Sequence, residues 1–182
     1  MSKIGIFMAD GCEEIEGLTV VDVVRRAKME IVMLSITGKK EVTSSHGVTF
    51  LADALAEETG YEDLDGIVLP GGMPGTINLG KSETVTKAAV YCAENGKITA
   101  AICAAPSVLG NLGILKGKKA TCFPGFEKEL EGATYTAAPV EIDGNVITGK
   151  GAGCAILFGK AIVEKAVSAE AANKVCGDMQ CP

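Results

Sequence analysis

Cys103 stands where residue type and local pattern combine into a reactive arrangement. The preceding stretch, Ile98-Thr-Ala-Ala-Ile102, is short, apolar and β-branched at intervals, while Ala104 onward predicts a helix with Pro106 in its first turn, where a missing N–H costs nothing. The cysteine thus sits at a strand-to-helix corner, a geometry that exposes the apical side chain and sets helix N-terminal amides beside it. Those amides favour a thiolate over a thiol whose ordinary pKa is about 8.5, so Cys103 is a candidate nucleophile of low pKa. A cysteine in an apolar strand also serves simply as packing. Ala100, Ala101, Ala104 and Ala105 weigh toward chemistry, because they leave room for a ligand.

Two further features carry polar groups of the right kind. Glu16 shares a helical stripe with Val20, Val23, Val24 and Ala27, so its carboxyl points toward the core or a cleft. Glu13 and Glu14 need no such reading, since the helix dipole welcomes acids in a first turn. Gly71 and Gly72, in Pro70-Gly71-Gly72-Met73-Pro74-Gly75, follow an apolar run, where glycines let backbone N–H groups approach a ligand or an oxyanion; they also make an ordinary tight turn. His46 is the only histidine, so any imidazole base must be this residue and a site with several histidine ligands is excluded. It falls in a loop before Gly47, where a histidine is most often only solvated, although a loop can reach a neighbouring subunit.

The elements that must position these residues alternate along the chain. Strands are predicted at 3–8, 29–36, 64–69, 98–102 and 119–123, and helices at 13–27, 82–95, from 104, and at 154–167, with a capping helix from Ser168. Residues 41–45 and 48–51 predict a hairpin or edge excursion, residues 127–131 a polar turn or short helix, and 140–147 a hairpin around Asp143-Gly144. The valines of helix 13–27 fall on more than one face, which a single sheet cannot cover and which points to a homodimer. Alternation of this kind gives an α/β fold with a mostly parallel sheet and helices on both faces, in which ligands bind beyond the carboxyl ends of the strands. Glu16, Gly71-Gly72 and Cys103 all fall on that edge.

Composition bounds the rest. With 182 residues, and no linker or repeat, the chain is expected to form a single domain over 1–182. A net charge of −6 without a basic run argues against nucleic acid and anionic membrane surfaces, and no apolar segment is long enough to span a bilayer. Seven cysteines without a CxxC pair suggest neither a disulfide framework nor a zinc site, but reduced thiols in a cytoplasmic protein. No metal and no cofactor are expected.

The segments GCEEIE at 11–16, VLPGGMPG at 68–75, AAICAAP at 100–106 and TGKGAGCAILF at 148–158 resemble the ThiJ/PfpI superfamily, in its deglycase branch. The resemblance runs nearly the whole chain in order. It implies a flavodoxin-like three-layer sandwich, usually a homodimer, with Cys103 as nucleophile, Glu16 as its carboxylic partner and the amides of Gly72 and Ala104, with Gly71 beside them, as the oxyanion site. Arg26 matches an arginine near the dimer interface of the family. Many relatives carry a histidine where Phe123 stands here, so a protease-type Cys–His pair within one subunit is not expected. His46 falls where close relatives often have an arginine, in a loop that approaches the partner subunit's site.

The activity implied is that of a cysteine-dependent enzyme acting on 2-oxoaldehydes or their adducts, a glyoxalase or deglycase without metal or glutathione, in stress protection. The alternative is a redox sensor or chaperone-like protein working through oxidation of Cys103. A peptidase or a role in thiazole-phosphate synthesis is less favoured; no phosphate loop is present.

Overall fold

A computed structural model describes residues 2–181. The chain opens with β1 (Lys3–Met8), whose side chains alternate between two apolar layers: Ile4, Ile6 and Met8 enter one, and Phe7 the other. The first layer is covered by α1 (Glu14–Arg26) and α5 (Ala155–Ala166), with α6 (Ala169–Asp178) packed on α5. The second is covered by α2 (Gly75–Lys81), α3 (Glu83–Glu94) and α4 (Pro106–Asn111). Between them lies the sheet, built from β1, β2 (Glu30–Ser35), β5 (Ala54–Leu55), β6 (Gly66–Leu69), β7 (Ile98–Ile102), β10 (Val140–Asp143) and β11 (Val146–Gly149).

The sheet order is β10-β11-β7-β6-β1-β2-β5, and every pairing is parallel except β10 with β11. This is the flavodoxin-like α/β arrangement expected from the sequence. The chain runs from β1 outward through β2 to β5, then returns to the other side of β1 with β6, so the strand order reverses between β1 and β6. A reversal of this kind opens a crevice at the carboxyl ends of the two strands. Two short pairs stand outside the sheet: the hairpin β3 (Glu41–Thr43) with β4 (Thr49–Leu51), and β8 (Lys119–Ala120) with β9 (Thr134–Tyr135).

Most predicted elements lie where expected, and the departures have physical causes. The strand expected over 119–123 stops at Ala120, because Thr121 N–H donates to Thr148 Oγ1 at 2.9 Å and Phe123 N–H to the Cys103 carbonyl at 2.8 Å, which draws the segment out of any ladder. Helix α2 was not expected at all; it starts at Gly75 after Pro74, without a capping side chain, where the glycine-rich sequence reads as a turn. The valine argument for a dimer is also corrected, because Val20, Val21, Val23 and Val24 are all buried within the chain by the sheet and by α5. Among the described residues, no helix is long and apolar enough to cross a membrane.

Candidate active site

Cys103 follows the last residue of β7 with φ of 65°, a left-handed conformation that side chains other than glycine rarely adopt. Two backbone hydrogen bonds hold the corner: Cys103 N–H donates to Gly149 O at 2.9 Å, and Phe123 N–H donates to Cys103 O at 2.8 Å. Behind it, Ser107 Oγ donates to Ala104 O at 2.6 Å and ties down the first turn of α4. The sharp turn leaves the thiol partly exposed, facing the amides of Ala104 and Gly72 and the carboxyl of Glu16.

Glu16 reaches this point from the first turn of α1. It is fully buried, and its Oε2 accepts a hydrogen bond from Gly71 N–H at 2.8 Å. Its Oε1 is buried without an N–H or O–H partner, leaving the Cys103 thiol as the neighbouring group that bears on its proton. Only glycine fits between them: a Cβ at Gly71 would lie 2.6 Å from Cys103 Cβ and 2.7 Å from Glu16 Oε2.

The two glycine-bearing loops meet backbone to backbone. Glu13 N–H donates to Gly71 O at 2.9 Å and Gly75 N–H to Gly11 O at 3.1 Å, and Gly72, at φ of 88°, lies directly against the Cys12–Glu13 peptide. This seam closes the crevice between the ends of β1 and β6 and sets the Gly72 amide beside the sulfur.

Burial dominates the electrostatics. It pushes the Glu16 carboxyl up to about 7, against the hydrogen bonds from Cys103 and Gly71. It pushes the Cys103 thiol up to about 12, with the Glu16 charge adding to the rise and the amides of Ala104 and Gly72 opposing it. The thiol of low pKa expected from the helix amides is therefore corrected: beside an ionised Glu16, desolvation and the carboxylate outweigh them. Between these two values the pair holds one proton.

The remaining sequence-derived candidates lie elsewhere. His46 is exposed in the β3–β4 loop, with Nδ1 at 3.2 Å from Glu14 Oε2 and 3.4 Å from Glu13 Oε2, and Glu14 raises its pKa. These three are also the described group whose potential metal-ligand atoms all lie within 4.8 Å of one another. Arg26 is in the last turn of α1, roughly 15 Å along the helix from Glu16, where its Nε binds Asp22 at 2.7 Å. Phe123 presents a half-exposed ring beside Gly151 and supplies no base. Gly11, Gly75 and Gly149 were not singled out, although TGKGAGC and the glycine after Asp10 carried the signal. Next to the site, a cleft of about 420 Å³ is lined by Met73, Thr76, Ile77, Ser107, Val108 and Phe126 among others.

Comparison with known proteins follows the same residues. The chain is 40% identical over 159 residues to Protein DJ-1 homolog B of Arabidopsis thaliana, covering 87% of this chain but only 36% of that protein. It is 35% identical over 176 residues to the Parkinson disease protein 7 homolog of Danio rerio, covering 93% of this chain and 92% of the relative. The oxidized DJ-1 of Toxoplasma gondii superimposes with a TM-score of 0.95 at 32% identity, covering 99% of this chain and 98% of that one. The model of the DJ-1/PfpI family matches residues 2–165, and the chain belongs to that family.

Proposed function

We propose that this protein is a cysteine-dependent enzyme that converts small 2-oxoaldehydes, free or as adducts, into 2-hydroxy acids. The observation that carries the reading is the fully buried Glu16 carboxyl, held by Gly71 N–H at 2.8 Å with its other oxygen unpartnered, set across Gly71 from the Cys103 thiol at the strand-to-helix corner. When the proton sits on Glu16, the carboxylate charge that adds to the effect of burial is gone, and the sulfur is a thiolate facing Ala104 and Gly72 N–H. The thiolate adds to the aldehyde carbon, and the resulting oxyanion accepts hydrogen bonds from those amides until Glu16 delivers its proton. The Glu16 carboxylate then removes the proton from the former aldehyde carbon and returns one to the adjacent carbon, converting the hemithioacetal into a 2-hydroxy thioester. Water cleaves the thioester and regenerates the thiol. The net change is addition of water, with no external oxidant or reductant, and no cofactor is required.

Membership of the family is consistent with stress protection, and the reading includes a homodimer at work in the cytoplasm. A protease-type Cys–His pair is not formed within the chain, because His46 pairs with Glu14 and Phe123 has no proton to move. One observation favours a second reading: the Toxoplasma relative was solved oxidized, and the partly exposed Cys103 suits a redox sensor equally in access. Incubation with methylglyoxal separates the two. Lactate formed by the native protein and lost in Cys103→Ser supports the enzyme; no lactate from the native protein removes it.

A further inference from the structure

The end of α6 places two of the seven cysteines together. Gln180 adopts φ of 56°, its N–H donates to Gly177 O at 3.1 Å, and Cys181 N–H donates to Cys176 O at 3.0 Å. This pattern is the Schellman motif, in which the residue beyond the left-handed position turns back onto the helix residue five positions earlier. The side chains at those two positions normally make an apolar contact that completes the motif. Here both are cysteines. Their backbones are bonded to each other, which limits the two Cα atoms to a separation of roughly 7 Å or less, close to the upper end of the range a disulfide bridges. The thiols are within reach of one another and both are partly exposed; burial and the neighbouring Cys181 hold the Cys176 thiol above its ordinary pKa, with Lys160 on α5 opposing the rise. Cys12, Cys92 and Cys122, by contrast, are buried.

We propose that Cys176 and Cys181 are a modification site: a reversible intramolecular disulfide that locks the C-terminal cap of α6 and exchanges with low-molecular-weight disulfides such as glutathione disulfide. One cysteine thiolate attacks a sulfur of glutathione disulfide, forming a mixed disulfide and releasing one glutathione thiolate. The second cysteine thiolate then attacks the protein-bound sulfur, the mixed disulfide breaks, and the second glutathione leaves. The two protein thiols lose two electrons and the glutathione disulfide gains them; the two thiol protons pass through solvent to the departing thiolates. The second step is favoured because the cap holds the attacking sulfur in place before the mixed disulfide forms.

The test is equilibration of the whole protein in glutathione redox buffers, acid quenching and mass analysis. Cleavage after Lys174 yields one peptide containing both cysteines, so the bridge reads as a loss of two hydrogens from that peptide. The expected result is an intramolecular bridge whose midpoint does not depend on protein concentration, while Cys181→Ser instead accumulates the mixed disulfide at Cys176. Gln180→Val opposes the left-handed conformation and should shift the midpoint by about tenfold toward more oxidising buffer, whereas Gln180→Gly should hold it or shift it the other way. Native protein that keeps a mixed disulfide to the same extent as Cys181→Ser, bridges between chains, or an unchanged midpoint in Gln180→Val would each overturn the proposal.

Discussion

Glu16 is poised to hold a proton at a pH where a surface glutamate has none, and that has a cost for folding. Its ordinary pKa of 4.5 rises to about 7 in the folded chain, so the folded state binds the proton more tightly than the unfolded one. The stability this confers is fully present below the unfolded value and is lost as pH rises through about 7. Above that, the buried carboxylate weighs against folding by about 3 kcal/mol, at roughly 1.4 kcal/mol per pKa unit. Glu16→Gln should therefore exceed the native protein in stability at pH 8 by up to this amount and lose the advantage near pH 4.5; denaturant titrations at the two pH values check it, and a gap independent of pH contradicts it. The same variant tests the shared proton. With Gln the carboxylate charge is gone while an N–H remains to face the sulfur, so the pH midpoint of Cys103 alkylation by iodoacetamide should fall, and by more than in Glu16→Leu. Equal shifts in Gln and Leu would mean that Glu16 donates nothing to the sulfur. The positions of Cys103 and Glu16 were legible in the sequence, one from a strand-to-helix corner and one from an acid on an apolar stripe. The direction of the thiol shift was not, because the depth of burial depends on what α4, α1 and the two loops cover together.

At the scale of elements, the site depends on a seam made of backbone rather than side chains. A methyl group at Gly71 must push Cys103 Cβ and Glu16 Oε2 apart, since it would sit 2.6 and 2.7 Å from them. A displacement of this order costs about 100-fold in rate where reacting groups must align. Gly71→Ala should accordingly lose about two orders of magnitude in Cys103-dependent turnover, measured beside Gly153→Ala, whose added methyl meets nothing within 4 Å and which should behave as the native protein does. Equal activity in the two variants would show that the Gly71 approach does not set the geometry. The glycine run after β6 was visible in the sequence with two readings open, a ligand approach or a turn. Its partner, Gly11 to Glu13, was not, since contacts between peptide groups leave no periodic pattern of side chains to read. The expected strand over 121–123 is lost to one contact of this kind and one with a side chain: Cys103 O takes the Phe123 amide and Thr148 Oγ1 the Thr121 amide.

For the whole molecule, the layered α/β architecture was legible because short apolar runs of strand length alternate along the chain with helical segments. Association between copies was inferred for a reason that the packing removes, since the valines of α1 are covered internally. Among the exposed apolar side chains, Ile15 at 54%, Val48 at 46% and Leu51 at 66% exposure lie on the first turn of α1 and in the β3–β4 region joined to it through Ser45 N–H and Cys12 O. This surface adjoins Glu13, Glu14 and His46, beside the site. We expect sedimentation equilibrium at micromolar concentration to give twice the chain mass for the native protein and the single chain mass for Ile15→Asp combined with Leu51→Lys. A native monomer would end the dimer proposal, and with it any part for His46 in a partner's site.

The ends of the sheet bear on how copies can meet at all. At one end β5 contributes two residues before the chain turns into the 3-10 segment Ala56–Glu58, and at the other β10 runs antiparallel to its neighbour, with the Asp143 carboxylate accepting from Lys119 N–H at 2.9 Å. One end is too short to template a long ladder, and the other carries charge and a crossing segment along its flank. Open edges of sheets are where unrelated chains add strands and aggregates nucleate. With both edges blunted in this way, self-recognition is steered toward side-chain surfaces on helices and hairpins, and little edge backbone is left available for uncontrolled growth.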